Sequence, residues 1–312
     1  MADGLVDIYI NPCPPPSPAN TTPPSPLNID ARTIDLHNFT FRMNMMPTID
    51  SLGVHMDYAR MSGGKIDIVK QTVDVSDFSG HGMKAAYIVP DSAQILATKV
   101  APADTAAVAS EPWTVRVGRV DFDSVDALYT THGYTPMAGM DFAYIQLKDG
   151  HLAVNNFFNR ATDVTVPLQI SGTERCGVSL VLDGTLKVSA TRLDFEKVRL
   201  TTPGGTNLSA SGMMGVGNPV EDTSLPLGIN AEGELSCADL GLMFPFLSPY
   251  FAGLHPGTII DATLDADGSM ARLDIETLAL NVPNSLRLDA SGQLSDIMSP
   301  DRMGGDISLS GR

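Results

Sequence analysis

The sequence predicts a mostly β protein, an elongated and repetitive rolled β-sheet that forms a groove, with one short helix near residues 239–248. Three observations lead to this prediction. Apolar and polar residues alternate along most of the chain, which is typical of strands with one buried face. A short apolar motif occurs five times. Turn-forming dipeptides such as Asp183-Gly184 separate many of the alternating stretches.

The recurring motif has the form apolar, Asp, apolar, two spacer residues, apolar. Its copies begin at Ile34, Val73, Val120, Leu193 and Leu273. Because side chains alternate between the faces of a strand, two spacers would place the last apolar residue on the opposite face of a straight strand. A bulge or tight corner at the spacer would return it to the first face. We therefore predict a sheet that bends repeatedly around one continuous apolar face.

A longer self-similarity supports the repetition. It aligns Ile34 with Val120 and continues without a gap to Ile68 aligned with Val154. Stacked repeats that bury a shared core produce such self-similarity. Any two half-buried β meanders would align in a comparable way, so this alternative stays open.

The chain has 312 residues, enough for two domains or one long β domain. We expect a Pro-rich linker or disordered lead-in over residues 1–28, since proline removes hydrogen-bond donors and fixes φ. The alternating pattern then predicts a first β repeat unit over 29–112, a second over 113–224, and a β unit with the short helix over 225–312.

Local signals refine these units. Hairpin turns are expected at Gly63-Gly64, Asp149-Gly150, Asp183-Gly184 and Asp267-Gly268. Between Asp91 and Pro112 the alternation is lost, which indicates a loop or short helix.

The segment from Asp239 to Gly253 is crowded with apolar residues and differs from the rest of the chain. Pro245 and Pro249 would break a long helix there. We predict one short helix, followed by an irregular apolar segment that plugs an edge or an end of the sheet.

Composition excludes several classes of protein. The net charge of −16 disfavours nucleic acid as a partner, because phosphates need Lys and Arg, and it disfavours anionic lipid head groups more weakly. Three distant cysteines give neither a disulfide framework nor a zinc site. The sequence shows no membrane-spanning apolar segment and no signal peptide. Because the pattern is interrupted at Leu309–Arg312, we expect a longer protein.

Catalytic and metal motifs are weak. Asp265-Ala266-Asp267-Gly268 is similar to part of a calcium loop, but Thr263 occupies the first ligand position, so a hairpin is favoured. The six histidines are dispersed, and no GxSxG or HExxH is present. A carboxylate pair for glycoside chemistry need only meet in space, which the sequence leaves open. We expect that the protein is not an enzyme and has no cofactor. We therefore assign no catalytic, metal-binding or cofactor-binding residues.

The stretch from residue 225 onward carries a family resemblance. Leu225–Leu235, then Asp239-Leu240 and the apolar helix, are followed by Gly257–Ile260, Gly268-Ser269-Met270, Leu273–Leu280 and Leu286–Gly292. This succession resembles the TamB/AsmA-like family of Gram-negative envelope proteins, in which short strands of this rhythm recur over very long chains. The resemblance implies a rolled sheet, often called a β-taco, with an apolar inner groove.

The same resemblance implies the function, partners and location. The chain is expected to be a segment of a translocation and assembly module that bridges the periplasm. Its groove would conduct phospholipid toward the outer membrane or assist outer-membrane protein assembly. The implied partners are phospholipid acyl chains and, through regions outside this chain, an outer-membrane β-barrel protein. The implied location is the periplasm of a Gram-negative envelope, with the full-length protein anchored in the inner membrane.

Acyl chains require continuous apolar contact, at about 0.8 kcal/mol per buried CH₂. The candidate groove lining consists of ten residues in the later strands: Leu186, Val188, Leu193, Phe195, Ile260, Leu264, Leu273, Ile275, Leu286 and Leu288.

Two other classes of protein fit parts of the pattern. One is a structural or adhesive β-repeat protein with a closed core and no lipid cargo. The other is a polysaccharide-acting β-helix enzyme, which should cluster acids and aromatics in one groove. Patterning alone does not separate an open groove from a closed core.

Overall fold

A computed structural model describes residues 3–10, 28–45, 50–90, 112–216, 223–251, 253–255, 257–269, 271–283, 285–296 and 304–312. The chain packs as two compact units. Unit 1 comprises Met1–Ala161 and Gly172–Arg175, and unit 2 comprises Thr162–Ser171 and Cys176–Arg312. The prediction of a mostly β chain with one short helical region is confirmed.

Long strands build unit 1, and they pair in the order in which they occur in the chain. The β1–β2 and β4–β5 pairs are parallel, whereas β2–β3, β3–β4 and β5–β6 are antiparallel. These strands are β1 (Asp3–Ile10), β2 (Asn28–Met45), β3 (Asp50–Asp67), β4 (Thr72–Val89), β5 (Thr114–Thr131) and β6 (Tyr144–Arg160). β7 (Asp163–Glu174) contributes residues to both units.

Shorter antiparallel strands build unit 2, again paired in chain order, and its first and last complete strands do not pair with each other. They are β8 (Ser179–Val188), β9 (Arg192–Thr201), β10 (Asn207–Gly215), β11 (Pro226–Ser236), β12 (Ile259–Ser269), β13 (Arg272–Val282), β14 (Leu286–Ser295) and β15 (Gly304–Gly311). Between β11 and β12 lie helix α1 (Cys237–Met243), a 3₁₀ turn (Pro245–Leu247) and helix α2 (Ser248–Phe251).

The motif spacer in unit 1 is a local corner, as predicted. Ser124, in the spacer of the copy that starts at Val120, has φ of 54°. On either side of it, Phe122 and Val125 oppose Leu152 and Gly150, which are two residues apart on β6 and therefore share a face. Phe122 and Val125 are 0% and 1% exposed and belong to one core cluster.

Asn38 plays the same part in the copy that starts at Ile34. Its φ is 49°, and Leu36 and Phe39 on either side of it pack against that same cluster. A left-handed residue in a bulge shifts the alternation by one and bends the strand. The spacer of the copy at Val73 contains no left-handed residue among those described.

Both motif copies in unit 2 also contain a bulge. Lys197 has φ of 51°, and the register around it places Phe195 opposite Gly212 and Val198 opposite Ala210. Gly212 and Ala210 are two residues apart on β10, so Phe195 and Val198 point to the same side. In the copy at Leu273, Ile275 and Leu278 oppose Gly292 and Ala290 in the same manner. The prediction that both apolar groups return to one face is confirmed for these copies.

The four predicted hairpin turns are wrong, because each glycine dipeptide lies inside a strand. Gly63-Gly64 is in β3, Asp149-Gly150 in β6, Asp183-Gly184 in β8 and Asp267-Gly268 in β12. Gly63 has φ of 62° and Asp149 of 50°, which are values that bulges as well as turns require. The glycine dipeptides at 63–64 and 149–150 therefore belong to irregularities within strands and not to turns that reverse the chain.

The internal self-similarity holds for one strand and fails for the next. Asn38 and Ser124, which align with each other, are both left-handed. However, Leu36 opposes Ala59, whereas its counterpart Phe122 opposes Leu152, so the following strands pair in different registers. Phe142, which aligns with the buried Met56, is 70% exposed and lies in the loop of residues 132–143 between β5 and β6.

The predicted domain boundaries stay predictions. Strand β1 lies inside the predicted lead-in of residues 1–28 and pairs with β2. The Pro-rich stretch after it and the predicted loop or helix over 91–111 lie outside the described residues. Among the described residues, no helix is long and apolar enough to cross a membrane.

Candidate functional site

The ten candidate groove residues lie on one face of the sheet in unit 2. Residues directly opposite each other in an antiparallel pair share a face. One line of opposed residues crosses the sheet from β8 to β14: Leu186, Phe195, Gly212, Ile229, Ala266, Ile275 and Gly292. Leu186, Phe195 and Ile275 are therefore on the same side.

The other seven candidates join this face through their own partners. Val188 opposes Leu193 on the strands that carry Leu186 and Phe195. Leu273 is two residues from Ile275, and Leu264 is two residues from Ala266. The remaining three candidates are Ile260, Leu288 and Leu286. They lie on this face because they oppose Leu235, Leu280 and Val282, respectively.

The rest of this surface is apolar too, and we call the whole surface the apolar face. Every other position that the register assigns to it in β8–β15 is an aliphatic residue, a methionine or a glycine: Leu182, Val198, Leu200, Leu208, Ala210, Gly212, Met214, Leu227, Ile229, Ala231, Gly233, Leu235, Ala262, Ala266, Gly268, Leu278, Leu280, Val282, Ala290, Gly292, Leu294, Gly305, Ile307, Leu309 and Gly311. The described part of this face therefore presents no side chain that forms hydrogen bonds.

The opposite face of the same strands is polar and carries ion pairs. Lys187 Nζ lies 2.6 Å from Glu196 Oε1, and Asn281 Nδ2 donates to Asp261 Oδ2 at 2.9 Å. The Arg287 guanidinium lies 2.9 Å from Asp289 and lowers the pKa of that carboxyl. Such exposed pairs contribute little stability. They do keep this side of the sheet in water while the other side stays apolar.

The apolar face is not packed as a closed core. Eight of the ten candidates are half-buried, Ile260 is 4% exposed and Leu286 is 50% exposed. Residues of a closed core are nearly inaccessible, because each is surrounded by neighbours on all sides. Exposure is high along the edge strand β15, where Ile307 is 41% and Leu309 is 64% exposed.

Helix α1 covers one end of the apolar face, as the plug prediction requires. Cys237 and Leu240 form a buried cluster with Ile260 and Val282, which lie at the start of β12 and the end of β13. Phe244 and Leu254 pack against the same cluster. Burial among these apolar side chains raises the pKa of the Cys237 thiol. The plug explains why Ile260 alone among the ten candidates is buried.

A buried polar cluster holds α1 in this position. Asp239 is 5% exposed and accepts hydrogen bonds from the hydroxyls of Thr202 and Thr206, the latter at 2.7 Å. Thr206 Oγ1 in turn accepts from the backbone N–H of Ser236 at 3.1 Å. The turn between β9 and β10 is therefore bonded to the start of α1. Sequence reasoning missed this role of Asp239, because its partners are distant in the chain.

The surface of unit 1 that is equivalent in pattern is more closely packed at its centre. Met56, Ala59, Met83, Phe122 and Val125 are all less than 8% exposed and form one cluster. In unit 2 most of the candidate groove residues are instead half-buried.

No protein-family model, no curated protein and no solved structure matches this chain.

The Asp of each motif copy forms an ion pair with an arginine. The pairs are Arg60–Asp35, Arg116–Asp74, Arg119–Asp121, Arg192–Asp194 and Arg272–Asp274. In three of them the arginine precedes the aspartate by two residues, a spacing that places both side chains on one face of a strand. That spacing was a readable signal that sequence reasoning missed. Among the described residues, no cluster of three or more His, Cys, Asp or Glu could hold a metal ion.

Proposed function

We propose that the apolar face of unit 2 binds phospholipid acyl chains. The observation that supports this most directly is an eight-stranded surface with half-buried apolar side chains and none that forms hydrogen bonds. In keeping with the TamB/AsmA-like resemblance, the chain would be a segment of a periplasm-spanning bridge. This bridge conducts phospholipid toward the outer membrane or assists outer-membrane protein assembly, and its full-length form is anchored in the inner membrane.

The chemistry of the face favours acyl chains over a protein partner. Protein interfaces carry roughly one hydrogen bond per 100–200 Å² and are enriched in Tyr, Trp and Arg. The described part of the apolar face has one aromatic residue, Phe195, and no Arg. An acyl chain needs no hydrogen bonds and gains about 0.8 kcal/mol for each buried CH₂. A surface of Leu, Ile, Val, Ala and Gly supplies that contact and nothing more specific.

The arrangement of the two faces suits transport through water. The polar face keeps the strands solvated, and α1 packs against the apolar face at Ile260 and Val282. Towards the other ends of the strands, Val188, Leu193 and Leu273 are half-buried. A bound acyl chain would therefore lie along the strands beyond α1, shielded by the sheet on one side.

The first experiment is to purify the chain without detergent, extract it with organic solvent and identify phospholipid by mass spectrometry. We expect stoichiometric phospholipid from the unaltered protein. Leu264→Asp, in the middle of the face, should remove it because a carboxylate is costly to bury beside acyl chains. The matched control is Thr263→Asp, one residue away on the exposed polar face, which should retain lipid.

Two results would contradict the proposal. One is an unaltered protein that carries no lipid and takes up no fluorescent fatty-acid probe, which would favour the structural or adhesive protein with a closed core. The other is unfolding of both Leu264→Asp and Leu286→Asp, detected by circular dichroism. Leu286 is 50% exposed, so an open face tolerates a charge there.

A further inference from the structure

The end of α1 and the segment that follows it expose large apolar side chains on their outer side. Leu242 is 48% exposed and Phe246 is 71% exposed. Leu240 and Phe244, from the same few residues, pack inward against the end of the apolar face. The rings of Phe244 and Phe246 contact each other edge to face, with centroids 6.1 Å apart. We call residues 242–247 the apolar knuckle.

The chain on either side of the knuckle carries no charged side chain. From Leu240 to Ile260 the sequence contains no Asp, Glu, Lys or Arg. The first carboxylate before this segment in the chain, that of Asp239, is buried and bonded to Thr202 and Thr206, so it does not reach this surface.

We propose that the apolar knuckle inserts into the surface of a phospholipid bilayer, and this rests on the proposed function of the apolar face. The same segment packs on the acyl-binding face with its inner side and exposes Leu242 and Phe246 on its outer side. The apolar surface is thus continuous from the bilayer to the end of the face. Insertion of the knuckle brings that end next to the acyl chains of the bilayer.

Charge selects the kind of bilayer. The chain carries a net charge of −16, and the knuckle offers no Lys or Arg to anionic head groups. Contact is therefore with zwitterionic phospholipid, and it is weak and reversible because only two large side chains enter the interface. Loss of the Phe246 ring should lower the partition coefficient about tenfold to a hundredfold.

The test is co-sedimentation of the full chain with phosphatidylcholine vesicles. Phe246→Ser should bind about tenfold or more weakly than the unaltered protein, and Leu242→Ser should show a smaller loss. Phe142→Ser is the matched control, since Phe142 is equally exposed at 70% but lies in unit 1. It should bind as the unaltered protein does. Vesicles enriched in phosphatidylglycerol should bind the unaltered protein less well at low salt.

A second measurement separates the knuckle from the face. Uptake of a monomeric fluorescent fatty acid from solution reports on the apolar face alone, and Phe246→Ser should leave it unchanged. Transfer of a fluorescent phospholipid from phosphatidylcholine vesicles requires both the knuckle and the apolar face. Phe246→Ser should slow this transfer by the same factor by which it weakens vesicle binding.

The outcomes are distinct. Equal vesicle binding by Phe246→Ser and the unaltered protein would overturn the bilayer contact. So would a concentration-dependent dimer that Phe246→Ser abolishes, because a second copy would then cover the knuckle. Vesicle binding that depends on Phe246, together with no fatty-acid uptake, would support the knuckle and overturn the proposed function of the face.

Discussion

The ring of Phe122 lies against Gly80, its partner on the neighbouring parallel strand, and a Cβ at Gly80 would come within 2.9 Å of Phe122 Cε1. Unit 2 repeats the relationship, since a Cβ at Gly212 would come within 2.5 Å of Phe195 Cζ. In both motif copies the Phe precedes a left-handed spacer residue by two positions. A glycine on the adjacent strand makes room for each ring.

Gly80→Ala should destabilise unit 1. The added methyl would lie 2.1 Å from the carbonyl oxygen of Tyr58 as well as against Phe122. Overpacking of this kind costs about 1–3 kcal/mol of unfolding free energy. Gly53→Ala is the control, because nothing lies within 4 Å of the position that its methyl group would take. Urea unfolding should separate the two variants, and equal midpoints would refute the steric account.

Lys197→Gly should stabilise unit 2. A side chain in the left-handed region costs about 1–2 kcal/mol, and glycine removes that strain at some cost in chain entropy. We expect a gain of up to about 1 kcal/mol in thermal or urea unfolding. Ser209→Gly, at an exposed position on β10, should instead lose stability because glycine weakens an ordinary strand. A loss for both variants would mean that the bulge imposes no strain.

Asp239→Ala should loosen the plug. It leaves the buried hydroxyl of Thr206 without its acceptor, which costs about 1–3 kcal/mol. Amide hydrogen exchange in α1 should quicken more than exchange in β13, because the anchor of the helix is lost while the sheet persists. Asp261→Ala removes an exposed carboxylate bonded to Asn281 and should change stability by less than about 0.5 kcal/mol. Unchanged exchange in α1 would exclude the anchoring role.

Asp141 should make the loop of residues 132–143 sensitive to acid. Its carboxylate accepts from the backbone N–H of Met137 at 2.8 Å and of Ala143 at 3.0 Å. The bond from Met137 is the largest cause that lowers its pKa below the ordinary value of 3.8, against the opposing effect of burial. The unfolded chain therefore takes up the proton at a higher pH than the folded chain. This contribution is complete above about pH 4 and declines as the pH falls through the lowered pKa.

The measurement compares urea unfolding of the unaltered protein and Asp141→Asn at about pH 6 and about pH 3. At the higher pH we expect the unaltered protein to have a larger free energy of unfolding than Asp141→Asn. This difference between the two proteins should shrink at the lower pH. A difference that stays constant with pH would show that the ionised carboxylate contributes nothing.

The ten candidate residues show which features a sequence predicts well. Leu193 and Phe195 are two apart, so the geometry of a strand places them on one face wherever the strand lies. The two-residue spacer before Val198 can also be interpreted locally, because only a bulge or corner returns Val198 to the face that carries Phe195. Both inferences depend on neighbours along the chain, and both agree with the structure.

Predictions that depended on distant partners were less successful. Gly63-Gly64 and Asp183-Gly184 have the composition of hairpin turns, yet they lie where a bulge or the neighbouring strand requires a glycine. Phe142 matches Met56 in the self-similarity but lies in a loop, because β6 pairs with β5 in a different register than β3 with β2. The arginine partners of Asp35 and Asp74 come from other strands, so no local spacing identified them.

The sequence by itself determined that the chain is mostly β, that the apolar residues on either side of a motif spacer share a face, and that one short helical region lies near residues 239–248. Covalent geometry fixes the alternation of side chains, so these features can be read from residues two or three apart. The tertiary structure decided that α1 covers Ile260 and Val282, that Asp239 anchors it, and that large side chains elsewhere on the apolar face, such as Phe195 and Leu264, stay half-buried. Burial depends on which segments meet in space, and that is set by strand register and by contacts far apart in the chain.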